Sequence, residues 1–146
     1  MPGIIVGVDG SQHSRRALVQ AMKEAAAHHE PLTVLTVHQA VRDVYGAPSH
    51  YGDDPDLTEK ARQAAQAEVD QVLTDVGDAR PESVTVKAVH GLPADELVKA
   101  SEGADMIVLG TRGTGGFARL MIGTVTSQVA HHARCPILIV PSDNRG

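Results

Sequence analysis

Five short apolar runs, separated by stretches of helical periodicity, constrain this chain more than any other feature. "GIIVGV" (3–8), "DMIVLG" (105–110) and "CPILIV" (135–140) are β-branched and apolar on both faces, as strands buried inside a parallel sheet are. "LTVLTV" (32–37) is a fourth run of this kind. "SVTVKAV" (83–89) alternates apolar with polar, which places it at or near a sheet edge. Between the runs, Leu18, Ala21, Met22 and Ala25 form an apolar stripe behind a capping Ser11. Ala61, Ala65, Val69, Val72 and Val76 form a longer stripe from about Thr58. Pro93 opens a short helix with Leu97, Val98 and Ser101, and Ile122, Val125, Val129 and Ala133 form the last stripe. Strand and helix therefore alternate four times before a closing strand. That order predicts right-handed crossovers and a doubly wound parallel sheet with helices on both faces, in a single domain over 1–146.

Composition narrows the function classes. A net charge of −5 argues against a nucleic-acid partner or an anionic membrane surface. No apolar run approaches the roughly 20 residues that span a bilayer, and "MPGIIVGVDG" lacks the basic region and cleavage site of a signal peptide. A single cysteine, Cys135, excludes an internal disulfide framework and fits a reducing cytoplasm. With no Trp, two Tyr and one Phe, the chain is too poor in rings for a carbohydrate or single-strand platform. Residues 39–57, "QAVRDVYGAPSHYGDDPDL", form a long connection that is either a surface insertion or a flap over a site.

The chemistry concentrates in "GTRGTGGFARLMIGT" (110–124), five glycines at the carboxyl end of a buried strand. Ligands of open α/β sheets bind outside the carboxyl ends of the strands, where the strand order reverses. Glycines let the backbone approach a ligand, and a helix start at Gly123-Thr124 offers N–H groups with a partial positive charge. A phosphate chain is the matching guest, with Thr124 able to cap the helix and offer its hydroxyl. A Walker A loop is excluded because Gly116 stands where its lysine belongs. "GTGGFA" (113–118) meets the loose dinucleotide pattern, but the acidic residue due about twenty positions later is Leu138.

What remains is Gly110, two residues, Gly113, nine residues, then Gly123-Thr124. This resembles the ATP-binding signature of the universal stress protein family, G-x2-G-x9-G-[ST]. "IIVGVDGSQHSRRAL" is similar to that family's first strand and turn, and the chain from "VHGLP" to "CPILIVP" is similar to its second half. The resemblance implies a sheet in the order 3-2-1-4-5, with the Asp9 turn and the Gly110 loop meeting at the switch point. It implies an ATP-binding stress-response regulator; since Arg112 and Arg119 alone would not balance a triphosphate, Mg²⁺ is expected with the nucleotide. Carried over, Val8, Asp9 and Val37 face the nucleoside, and Leu109, Gly110, Arg112 and Gly113 line the middle. Gly123, Thr124 and Val125 hold the phosphates. Asp9 accepts from a ribose hydroxyl or helps to position a metal. Thr111 and Thr124 stand where the family often carries Ser and keep the hydroxyl. Relatives that do not bind nucleotide lose the glycines, which this chain retains. The family also implies a homodimer through the last strand, Pro136 to Val140, an apolar edge that invites pairing. ATP, AMP and a cyclic nucleotide remain open as the ligand.

Other residues carry weaker readings. Arg112 and Arg119 flank the glycines as candidate phosphate partners. His28-His29 and His131-His132 are adjacent in sequence, so their side chains diverge on a helix; with one Cys, no zinc-type metal site is expected. His38 and His90 end strands two and three and are read as loop-positioning. Cys135 lies three residues after His132, yet it precedes Pro136 at the amino edge of the sheet and is expected to be buried packing. No catalytic residue is assigned: the glycine loop lacks lysine, and Asp9 is the only carboxylate placed near it, so slow ATP hydrolysis or phosphotransfer is the alternative to a binding module. A phospho-receiver is excluded because His90 and Gly91 follow strand three and Ser142 follows strand five.

Overall fold

The computed structural model describes residues 3–39, 55–111 and 123–141. The elements follow in the order β1 (Ile4–Val8), α1 (Gln12–His28), β2 (Leu32–Gln39), α2 (Pro55–Val76), β3 (Val84–Gly91), α3 (Pro93–Ser101), β4 (Met106–Gly110), α4 (Thr124–His132) and β5 (Ile137–Val140). The five strands form one parallel sheet in the order β3-β2-β1-β4-β5. The alternating third run is an edge strand, as its pattern predicts. β5 starts at Ile137, leaving Cys135 and Pro136 ahead of it, whereas α2 begins at Pro55, earlier than its apolar stripe indicates.

Alternate residues of each strand feed two cores. Ile4, Val6, Val8, Leu32, Val34 and Val108 pack with Leu18, Ala21, Met22 and Ala25 of α1 and Ala65, Val69 and Val72 of α2. Leu35, Ile107 and Leu109 pack with Ala94 and Leu97 of α3 and Val129 of α4. Gly7 permits the second packing, because a Cβ there would lie 2.9 Å from Leu109 Cδ2 and 3.3 Å from Leu97 Cδ2. The stripes read from the sequence are thus the helices' inner faces; Ala61, Val76, Val98, Val125 and Ala133 are their half-buried margins. Ile122 lies outside the described residues.

α1 starts where the sequence suggests. Ser11 is its N-cap, with its side chain accepting from the Ser14 N–H at 3.1 Å. The helix ends on His29 in the left-handed conformation (φ 56°), whose N–H turns back to the carbonyls of Ala25 and Ala26.

Candidate functional site

The site lies at the carboxyl edge of the sheet, where β1 and β4 part. Their registered pairing runs from Ile4–Met106 to Val6–Val108. Two residues beyond that last pair are Val8 on β1 and Gly110 on β4, and here side chains take over the backbone groups. The Asp9 N–H donates to Ser14 Oγ at 3.2 Å, and the buried Gly110 carbonyl accepts from Thr126 Oγ1 at 2.7 Å. The strand ends are therefore tied to α1 and α4 respectively, at the topological switch point of the sheet.

Asp9 is exposed at the head of this turn, and its Oδ1 accepts from the Ser11 N–H at 2.9 Å. Gly10 sits between them at φ 84°, a conformation that a side chain would strain. Ser14 is buried, and its hydroxyl also donates to the Ser11 carbonyl at 3.1 Å. The turn is thus held by three side chains of one short segment, and Asp9 is presented in a fixed direction.

Opposite, the Thr111 N–H donates to the Val140 carbonyl at 3.2 Å, and the Gly123 N–H donates to the Thr111 carbonyl at 2.6 Å. The start of α4 is thereby brought back onto the end of β4. Arg112, Gly113 and Arg119 lie within 112–122, outside the described residues. One expectation is corrected: Gly123 (φ −60°, ψ 156°), not Thr124, is the N-cap of α4, and no side chain caps that helix. Thr124 is the exposed first helical residue. Its place at the helix start follows from Gly123, the residue with extended backbone there.

Leu109 is a buried member of the second core, with Val37 and Val125 packed against that core, whereas Val8 belongs to the first. The structure accordingly gathers Val8, Asp9, Leu109, Gly110, Gly123, Thr124 and Val125 at the parting of β1 and β4. Val37 lies one residue past Thr36, the partner of Val8 on the neighbouring β2.

Sequence reasoning missed Ser14, Thr126 and Glu68. Glu68, on α2, is half-buried, and burial pushes its carboxyl up; Arg15 pulls it down and the negative charge of Asp9 pushes it up further. Asp9 is therefore not the only carboxylate that bears on this edge. A carboxyl raised in the folded state costs stability where it is charged, and the cost disappears below the unfolded value near 4.3. Glu68→Gln is expected to raise the thermal midpoint at about pH 8, with the gain shrinking toward zero below about pH 4. Calorimetric scans across that range would show it; a gain that grows on acidification would contradict the assignment.

Cys135 is half-buried rather than buried, because β5 begins two residues later. Burial is the main cause that raises its thiol, which keeps it protonated and unsuited to nucleophilic attack. A groove of ≈ 430 Å³ lined by Ile5, Thr33, Leu35, Thr85 and Lys87 opens on the amino half of the sheet, away from Asp9.

The comparisons with known proteins agree with this geometry. The pattern of the universal stress protein family matches residues 2–141. A universal stress protein of Thermus aquaticus is 32% identical over 139 residues, covering 94% of this chain and 96% of its own. One from Mycobacterium tuberculosis is 34% identical over 145 residues, covering 97% of this chain and 48% of its own. The chain thus spans about half the length of the mycobacterial relatives that it matches. Among solved structures, the universal stress protein UspA of Lactobacillus plantarum superposes with a TM-score of 0.75 at 26% identity, covering 95% and 97% of the two chains. A universal stress protein in complex with cAMP gives a TM-score of 0.66 at 26% identity, covering 96% of each. The chain, matched over residues 2–141 and built on a 3-2-1-4-5 sheet with the Asp9 turn at the end of β1 next to the end of β4, belongs to the universal stress protein family.

Proposed function

We propose that the chain is an ATP-binding regulatory module of the cytoplasm, one nucleotide-binding domain over 1–146. The observation that carries this reading is the parting of β1 from β4 after Val6–Val108, with the Asp9 turn on one lip and the base of the glycine segment on the other. A neighbour of the same fold holds cAMP, which supports an adenine nucleotide. In this reading Val8, Asp9 and Val37 face the nucleoside, and Leu109, Gly110, Arg112 and Gly113 line the middle. Gly123, Thr124 and Val125 hold the phosphates through the start of α4, whose N-cap Gly123 brings no side chain to its N–H groups. Mg²⁺ suits the donor set, since it is commonly held by one or two carboxylates together with phosphate oxygens and water. Asp9 is the residue that would hold it, and the ion would neutralise phosphate charge.

Occupancy, rather than turnover, is the proposed signal. Slow hydrolysis or phosphotransfer in the same pocket is the second reading. Denaturing the purified protein and separating the released nucleotides by chromatography tests the ligand; an adenine nucleotide at near one per chain is expected, and none released under native purification counts against the proposal.

The proposed partner is a second copy, joined along Pro136 to Val140. Among the described residues β5 is an edge strand paired with β4, and Ile137, Leu138, Ile139 and Val140 are all half-buried. Ile139→Lys is expected to shift the sedimenting species from dimer to monomer; an unchanged mass would place the interface elsewhere. Neither nucleic acid nor membrane is proposed as a partner, and no helix among the described residues is long and apolar enough to cross a membrane.

A further inference from the structure

The β2–β3 register sets His38 directly beside His90, two residues that lie far apart in sequence. Their ring centroids are 5.0 Å apart, with planes inclined at 50°. They share the sheet face of Val34 and Val86, which pack in the α2 core, whereas Val37 and Val89 pack against the other core. The pair therefore lies on the side of the sheet opposite the Val37 side chain. Thr58, in the first turns of α2, meets His38 Nε2 through its Oγ1 at 2.7 Å. His90 Nε2 is buried without a hydrogen-bond partner.

We infer that His38 and His90 form a two-imidazole site for a transition cation of the zinc class. Two imidazoles on one tetrahedral ion, each nitrogen about 2.0–2.1 Å from the metal, place their ring centres roughly 5 Å apart. That spacing is the one found here. A buried polar atom with no partner calls for a water or an ion to complete it, and a neutral imidazole nitrogen is a ligand for Zn²⁺, Cu²⁺ or Ni²⁺. The Thr58 hydroxyl can accept from Nε2–H of His38 as well as donate to it; in the tautomer where it accepts, the lone pair of that ring lies on Nδ1, the arrangement in which a hydroxyl orients a metal ligand. His38 binds through Nδ1 and His90 through Nε2. Among the described residues no group of three His, Cys, Asp or Glu gathers to hold a metal. Water fills the remaining positions, which makes the ion exchangeable and ties together β2, β3 and the start of α2. The site requires no nucleotide, so its failure and the failure of the nucleotide reading are separate results.

Titration of the nucleotide-free full chain with Zn²⁺ in a calorimeter tests it. One site of roughly micromolar affinity is expected, weakened at least about tenfold by His38→Gln and by His90→Gln and unchanged in the double variant His131→Gln/His132→Gln. No binding, or wild-type affinity in His90→Gln, would overturn the inference. Should either ring variant fail to fold, the histidine ring ¹⁵N resonances of the wild type decide. Zn²⁺ moving His38 and His90 together upholds the site; shifts confined to other histidines overturn it.

Discussion

Thr126→Val is expected to lower the free energy of unfolding by about 2 kcal/mol and to weaken adenine-nucleotide binding about tenfold. The substitution keeps the shape of the side chain and removes one hydroxyl. That hydroxyl is buried and donates to the Gly110 carbonyl at 2.7 Å. Gly110 lies past the last registered pair of β1 and β4, so the lost donor leaves a buried acceptor without this partner in low dielectric. The same bond holds the end of β4 to the first turn of α4, so its loss loosens the base of the glycine segment along with the fold. Urea unfolding and calorimetry on the same preparation would separate the two effects. Thr126→Ser keeps the donor and should restore most of both. A Thr126→Val protein as stable as wild type would show that the Gly110 carbonyl is satisfied elsewhere.

Leu18→Ala should cost about 3 kcal/mol, a fall of roughly 10 °C in thermal midpoint for a domain of this size. Leu18 is fully buried in the core that α1 and α2 share with β1, β2 and β4. Removing its branched end leaves a cavity in that core, whose strand side is fixed by the pairing of β1 with β2 and β4. Because α1 is capped by Ser11 and carries Ser14, a cavity beneath it also disturbs the Asp9 turn. A loss below about 1 kcal/mol would mean that the helix repacks freely.

The fold was legible because hydrophobic period and burial coincide. The apolar runs at 3–8 and 105–110 became the central strands β1 and β4, the alternating run became an edge, and Leu18, Met22, Val69 and Val72 turned inward as their spacing requires; the equally apolar run at 135–140 became the other edge, β5, half-buried rather than enclosed. The Asp9 turn was legible in part, since Ser11 is a recognisable cap. What escaped were contacts between segments distant in sequence. Nothing local marks Thr126 as the donor to Gly110, 16 positions earlier. Nor does a helix pattern show that Glu68 feels Asp9, or a strand pattern that His38 and His90 share a register position. Helix caps are also decided by backbone torsion, which is why Thr124 was read as the cap that Gly123 provides. Arg112 and Gly113 are readable only as spacing.

Direct titration of ATP with Mg²⁺ into wild type and into Gly113→Val/Thr124→Val is the measurement that bears most directly on the proposed function. Gly113→Val replaces a glycine's conformational freedom with a β-branched side chain, and Thr124→Val removes the hydroxyl at the start of α4 while keeping its shape. The expected result is saturable binding to wild type, with affinity lowered by at least about a hundredfold (~2.7 kcal/mol) in a variant that remains folded. Equal binding by the two proteins, or none by wild type, would contradict a phosphate cradle between β4 and α4.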